Sequence, residues 1–198
     1  MLLSKKERKL LKKYDSITGI DEVGRGSLAG VVLVASFTIN KESIIYEEVN
    51  DSKKLTEKKR NELFDKLTTN KNTFHISMSS NTIIDKYGIV YAIQKAMNKC
   101  IVRSPSSYIL IDGLFKEKFQ TTKKCETIIK GDSLIYCIAA ASIIAKVTRD
   151  RIMKNLDKEY APFNFEKNKG YGSKFHIQQL KNLGPTKIHR LSFIKNII

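Results

Sequence analysis

Four carboxylates stand where apolar chain gives way to polar chain. Asp21 and Glu22 follow Ile17-Thr18-Gly19-Ile20, Asp112 follows Tyr108-Ile109-Leu110-Ile111, and Asp132 follows residues 126–130. A carboxylate at the end of a buried segment is informative because an unpaired buried charge is costly. Two of them admit a bland account, Asp132 as the N-cap of the helix after it and Asp112-Gly113 as a turn. Asp21 and Glu22 resist one: they precede a glycine-rich turn, with Arg25 the only basic residue close in sequence. If the four converge, each like-charge pair at ~4 Å and an effective dielectric of ~20 repels by roughly 4 kcal/mol. Such a cluster persists when hard cations fill it, and oxygen-only ligands select Mg²⁺ or Mn²⁺ over zinc. Two such ions suit phosphodiester hydrolysis, one lowering the pKa of water and the other stabilising the leaving oxygen.

The elements that must position these groups are legible in outline. Residues 3–13 have the composition of a short basic helix, and a strand begins at residues 17–20. Gly24, Gly26 and Gly30 punctuate a turn. Residues 31–39, mostly apolar and β-branched, read as a strand covered on both faces. Residues 50–54 form a loop, and Thr56 is placed to N-cap a helix carrying Leu63, Phe64 and Leu67 on one side. A strand over 74–80 precedes one long amphipathic helix over 82–102. Short strands over 108–111 and 126–130 come next, then a helix from Ser133 to about Lys158. Ala139-Ala140-Ala141-Ser142 in that helix would let it approach the sheet closely. The remainder is loop-rich, with one helix over 176–182. The order of elements predicts an α/β sheet covered on both faces.

Bulk composition agrees with a folded, basic protein. The chain has 198 residues, 41% of them hydrophobic, which suits a single domain over 1–198 with a real core. Residues 1–15 would be a short basic extension. Lys and Arg total 36 against 20 Asp and Glu, a net charge of +16 that favours a polyanionic partner. No stretch approaches the roughly 20 apolar residues of a membrane helix, and the N-terminus lacks a signal-peptide apolar run. Cys100, Cys125 and Cys137 form no C-x-x-C pair, which argues against zinc and for a reducing compartment, so the cytoplasm is expected.

The string Gly19 to Gly30, GIDEVGRGSLAG, resembles the signature of the ribonuclease HII family. The resemblance continues through Asp51-Ser52-Lys53-Lys54-Leu55, residues 92–97, Ile111-Asp112-Gly113 and Lys130-Gly131-Asp132. It then takes in residues 139–150, Gly170-Tyr171-Gly172-Ser173 and residues 184–190, so it spans the chain from about residue 15. It implies an RNase H-like fold: a five-stranded mixed sheet flanked by helices, with a small C-terminal helical segment, about 161–198, that contacts substrate.

Roles transfer by position in that resemblance. Asp21, Glu22, Asp112 and Asp132 match the catalytic carboxylates that hold two divalent ions, Mn²⁺ or Mg²⁺. The Gly24-Arg25-Gly26 backbone matches the element that reads the ribose 2′-hydroxyl, where a missing side chain permits close approach. Tyr171 matches the tyrosine packed on the sugar at an RNA–DNA junction, and Lys53 is expected to touch substrate. The implied reaction is attack of a metal-bound water on the phosphate 5′ to a ribonucleotide, leaving a 5′-phosphate and a 3′-hydroxyl. The implied substrates are RNA–DNA hybrids and duplex DNA bearing ribonucleotides, in ribonucleotide excision repair and RNA primer removal. A site that hydrogen-bonds a substrate hydroxyl can reject the deoxy analogue by roughly 10⁴-fold. The 2′-hydroxyl is not the nucleophile, so no histidine pair is needed. His75, His176 and His189 sit in no paired acid–base motif, and His189 is expected to be structural.

Three positions depart from the family pattern. Ser27 and Val31 stand where proline is usual, which predicts slightly looser packing of the turn. Leu191 replaces a frequent arginine and would remove one phosphate contact. The alternatives are a ribonuclease HIII-like hybrid nuclease, which usually carries an extra N-terminal domain and a lysine in place of Arg25, and a non-catalytic binder on the same fold, which predicts loss of a carboxylate. A monomer is expected, and residues 191–198 show no clear clamp-binding motif.

Overall fold

The computed structural model describes residues 1–69, 72–115 and 119–198, and among them five strands form one mixed sheet. These are β1 (Ser16–Val23), β2 (Val32–Asn40), β3 (Thr73–Ser79), β4 (Tyr108–Asp112) and β5 (Lys124–Ile128), arranged β3-β2-β1-β4-β5. β1 pairs antiparallel with β2, and β2 with β3, whereas β1–β4 and β4–β5 are parallel. The five-stranded mixed sheet anticipated above is therefore present.

β2 is apolar without interruption because both its faces are covered. Leu33, Ala35, Phe37 and Ile39 point to one core with Cys137 to Ala141, Ile143 to Ala145 and Val147 of α6 (Tyr136–Asp157). Val32 and Val34 point the other way, with Ile20, Ile109 and Ile111, onto Ile84 of α3 (Asn81–Tyr87) and Ala92 to Ile101 of α4 (Ile89–Arg103). Burial of these two layers drives the fold at roughly 25 cal/mol per Å² of apolar surface. Gly19 on β1 is what lets α6 seat: a Cβ there would lie 2.2 Å from the Cys137 carbonyl carbon. Among the described residues no helix is long and apolar enough to cross a membrane.

Three expectations are corrected. The helix read over 82–102 is two helices, α3 and α4, parted at Gly88, whose φ of 84° is readily reached only without a side chain. The helix read from Ser133 is likewise two, since Ile135 lies extended (φ −128°, ψ 119°) between α5 (Gly131–Leu134) and α6. The last strand begins two residues early, because its pairing with β4 starts at Tyr108 and Lys124. The N-terminal extension contains the short basic helix expected there. Its helix α1 (Lys5–Leu11) buries Glu7 completely, and the carboxylate accepts the Cys137 amide at 3.0 Å.

Thr56 caps its helix, α2 (Glu57–Thr68), as expected, accepting the Lys59 amide at 3.3 Å. A third apolar cluster, of Leu28, Ala29, Met153, Phe163, Phe165, Leu180 and Ile194, joins the C-terminal segment to the turn after β1. That segment contains the expected helix, Lys174–Leu183, capped by Ser173.

Candidate active site

The sheet brings the acidic strand ends together by register. Ile20 of β1 pairs with Ile111 of β4, so one residue further each strand presents an aspartate, Asp21 and Asp112. Asp21 shares the α6 face with Gly19, and Ser142 of α6, 3.0 Å from Ser52 Oγ, lines the same cleft. Asp21 Oδ1 accepts the Glu22 amide at 2.7 Å. Asp112 Oδ1 accepts the Gly131 amide at 2.6 Å, which ties the end of β4 to the loop carrying Asp132. Asp21, Glu22 and Asp112 line an open cleft of about 340 Å³ together with Val23, Ser52, Lys53, Ser142, Lys146 and Tyr171.

Electrostatics mark this cleft as charged against its preference. Burial, then the neighbouring Glu22 and Asp112, hold Asp21 well above the usual aspartate range. Burial raises Glu22 too, and the Arg25 guanidinium, 3.7 Å away, offsets only part of that. Asp112 is raised by burial first, with Asp132 adding to it although two backbone amides pull the other way. Acidic groups pushed up by one another in a cleft characterise functional sites.

Asp132 is buried and lies beside Asp112, but its Oδ2 turns to the Lys53 ammonium at 3.5 Å. Lys53 is itself raised by Asp132, Asp51 and Asp21 against the cost of burial, so an ammonium supplies cationic charge where the carboxylates converge. Among the described residues no three His, Cys, Asp or Glu side chains stand close enough to hold an ion. The donor set nevertheless fits a hard divalent cation, being carboxylate oxygen throughout with hydroxyls of Ser52 and Ser142 alongside.

The turn after β1 is built from both sides. Gly24 has φ of 88°, and a Cβ there would sit 2.3 Å from Arg149 Nε, so packing requires this glycine. Gly26 differs: a Cβ would meet nothing within 4 Å. Among the described residues nothing accounts for its lack of a side chain. Tyr171 is partly exposed at the cleft, its ring 5.4 Å from Arg149 Cζ. Gly170 beside it accepts the Leu28 amide at 2.8 Å, stitching the tyrosine loop to the turn.

Four features escaped the sequence reading. Glu7, Arg149 and Arg190 are fully buried charges. His176 and His189 meet, Nε2 to Nε2 at 3.0 Å, a contact no local motif announced. The pair packs against Phe163 and Phe165. Ser27, in a position where looser packing was expected, is fully buried and accepts Arg149 Nη2 at 2.8 Å. A hydroxyl acceptor replaces the stiffness a proline would give. Leu191 is exposed, and its amide is capped by Asp85 at 3.0 Å.

A mixed sheet of this order, delivering aspartates from adjacent strand ends into an acidic cleft, defines an RNase H-like α/β protein. The family model for ribonuclease HII matches residues 18–196. A curated ribonuclease HII of Clostridium perfringens strain 13 is 43% identical over 189 residues, covering 93% of this chain and 69% of that protein. The ribonuclease HII of Caldicellulosiruptor bescii is 42% identical over 195 residues, covering 97% and 93%. The crystal structure of ribonuclease H2 from Pyrococcus horikoshii OT3 superposes with a TM-score of 0.75 at 25% identity, over 92% of this chain and 96% of that one. The chain belongs to the ribonuclease HII family of metal-dependent endoribonucleases.

Proposed function

We propose that this chain hydrolyses the RNA strand of RNA–DNA hybrids and cuts duplex DNA on the 5′ side of single ribonucleotides, leaving 5′-phosphate and 3′-hydroxyl ends. One observation carries the reading: Asp21, Glu22 and Asp112 share a cleft with Tyr171, beside a turn whose Gly26 is open to an incoming ligand. Asp21, Glu22, Asp112 and Asp132 would hold two divalent ions, Mg²⁺ or Mn²⁺. When bound, the ions supply an activated water and a charge for the leaving oxygen.

The chain's own groups do the rest. Burial of Asp21 excludes bulk water from one wall of the cleft. Arg25, Lys53 and Lys146 set positive charge around it for the substrate phosphates, and the net charge of +16 draws a polyanion in from a distance. The amides of Gly24-Arg25-Gly26 read the 2′-hydroxyl, and Tyr171 packs on the sugar at the junction. Residues 1–198 act as one catalytic unit, a monomer in the cytoplasm, with residues 161–198 contacting substrate in ribonucleotide excision and primer removal.

The test is cleavage of a duplex bearing one ribonucleotide, beside all-DNA and hybrid controls, with Mg²⁺ or Mn²⁺. Cutting is expected only where ribose is present. Asp112→Asn should lower turnover on the order of 10²–10³-fold, as for loss of one preorganised charge-stabilising group, with duplex binding retained. Near-normal turnover in that variant would remove Asp112 from the chemistry.

A further inference from the structure

Among the described residues Arg149 and Arg190 are the two largest fully buried side chains, and neither stands in an ion pair. Burying a guanidinium without a carboxylate is expensive, and apolar side chains of similar volume are often as stable or better. Burial and the neighbouring Arg149 push Arg190 down to about 9, which reports the same cost.

Their hydrogen bonds converge on one short stretch of chain. Arg149 donates from Nε to Val31 O at 3.0 Å and from Nη2 to Ser27 Oγ at 2.8 Å and Ala29 O at 3.3 Å. Its Nη1 reaches Lys169 O at 2.9 Å, on the loop that carries Tyr171. Arg190 donates from Nε to Gly30 O at 3.0 Å and from Nη1 to Arg25 O at 3.0 Å. Its Nη2 is buried with no partner among the described residues. Carbonyls of residues 25, 29, 30 and 31 are thereby held inward by two planar forks.

We propose that Arg149 and Arg190 are positioning residues that set ribose discrimination, by fixing the 24–31 turn from beneath and locking it to the Tyr171 loop. The inference rests on the reading that Gly24-Arg25-Gly26 senses the 2′-hydroxyl. With its carbonyls held inward, the turn keeps the open face at Gly26 outward. The guanidinium of Arg149 also underlies the Tyr171 ring. One residue therefore registers the hydroxyl sensor against the sugar-packing group. A lysine keeps the charge but presents no fork, so it cannot hold several carbonyls in fixed relation.

The test compares Arg190→Lys and Arg149→Lys with wild type on a duplex bearing one ribonucleotide, and measures binding to an all-DNA duplex of the same sequence. Each lysine variant is expected to lose about 30-fold in kcat/KM on the ribonucleotide substrate, the size of one lost charge-assisted hydrogen bond. All-DNA binding should stay within about threefold, because phosphate contacts are untouched. Leu67→Ala, fully buried on α2 and outside the apolar cluster of the turn, serves as the stability control. At a temperature where all are folded, it should cut like wild type. Lysine variants that cut within about threefold of wild type, or lose no more than Leu67→Ala at matched Tm, overturn the proposal. Ser27→Ala, which removes one acceptor of Arg149, should lose about threefold and decides the matter if a lysine variant does not fold; unchanged kinetics there would overturn it. A wild type that fails to prefer the ribonucleotide duplex refutes the functional reading, and this inference with it.

Discussion

Glu7 is a buried carboxylate that finishes two helices at once, and its removal should be felt throughout the sheet. Its Oε1 accepts the Cys137 amide at 3.0 Å, in the first turn of α6, where Ile135 offers no polar side chain as a cap. Its Oε2 accepts the Ser4 amide and hydroxyl, each at 2.8 Å, closing a capping box on α1. Glu7→Ala leaves the Cys137 amide buried and unpaired, costing about 1–3 kcal/mol. Loss of the capping box adds about 1 kcal/mol, and loss of negative charge at the α6 N-terminus about 0.5 kcal/mol. These overlap, so about 3 kcal/mol in total is expected. At 2–4 °C per kcal/mol for a chain of this size, Tm should fall by about 6–12 °C. Glu7→Gln keeps an acceptor for Cys137 and removes a buried charge, so a loss of less than about half is expected. Thermal unfolding at pH 7 in chelator reads both variants. A Tm within about 2 °C of wild type for Glu7→Ala would refute the reasoning, by showing that water or a relaxed backbone satisfies that amide. The consequence is functional as well, since α6 carries Ser142, Lys146 and Arg149.

Two further outcomes follow from proton linkage. In chelator, Asp21→Asn should raise Tm at pH above the raised folded-state pKa of Asp21, where ionising the buried carboxylate carries a cost. The gain should shrink as pH falls through the folded-state pKa toward the ordinary value of 3.8, because wild type then takes up the proton itself; a lower Tm for the variant above that pKa would count against a repelling cluster. His189 is lowered to about 4 by burial first and then by His176, so its contribution to stability is complete above the ordinary 6.5 and lost as pH falls through about 4. Its imidazole resonances should not titrate between pH 7 and 5, and a midpoint near 6.5 would contradict the buried neutral pair.

The sheet was readable because its strands are short apolar runs bounded by turn residues, and burial on two faces leaves no room for polar interruption. Asp21, Glu22 and Asp112 were readable for a related reason, since each ends such a run. Gly88 was hidden inside a continuous helical pattern. Ile83, Tyr87, Val90 and Ile93 keep helical spacing across the break, and only the positive φ of Gly88 shows that the chain changes direction.

Local pattern alone placed the strand ends and their carboxylates, because covalent neighbours and side-chain periodicity determine which residues are buried and where a buried run stops. Tertiary structure alone decided what surrounds them. Lys53 meets Asp132 across 79 positions, Glu7 reaches Cys137 across 130, and Arg190 reaches Arg25 across 165. No local signal distinguishes these charges from solvated ones. Glu7 and Arg190 met their partners only when folding removed water from around them, whereas Lys53 reaches Asp132 with its side chain still largely in solvent.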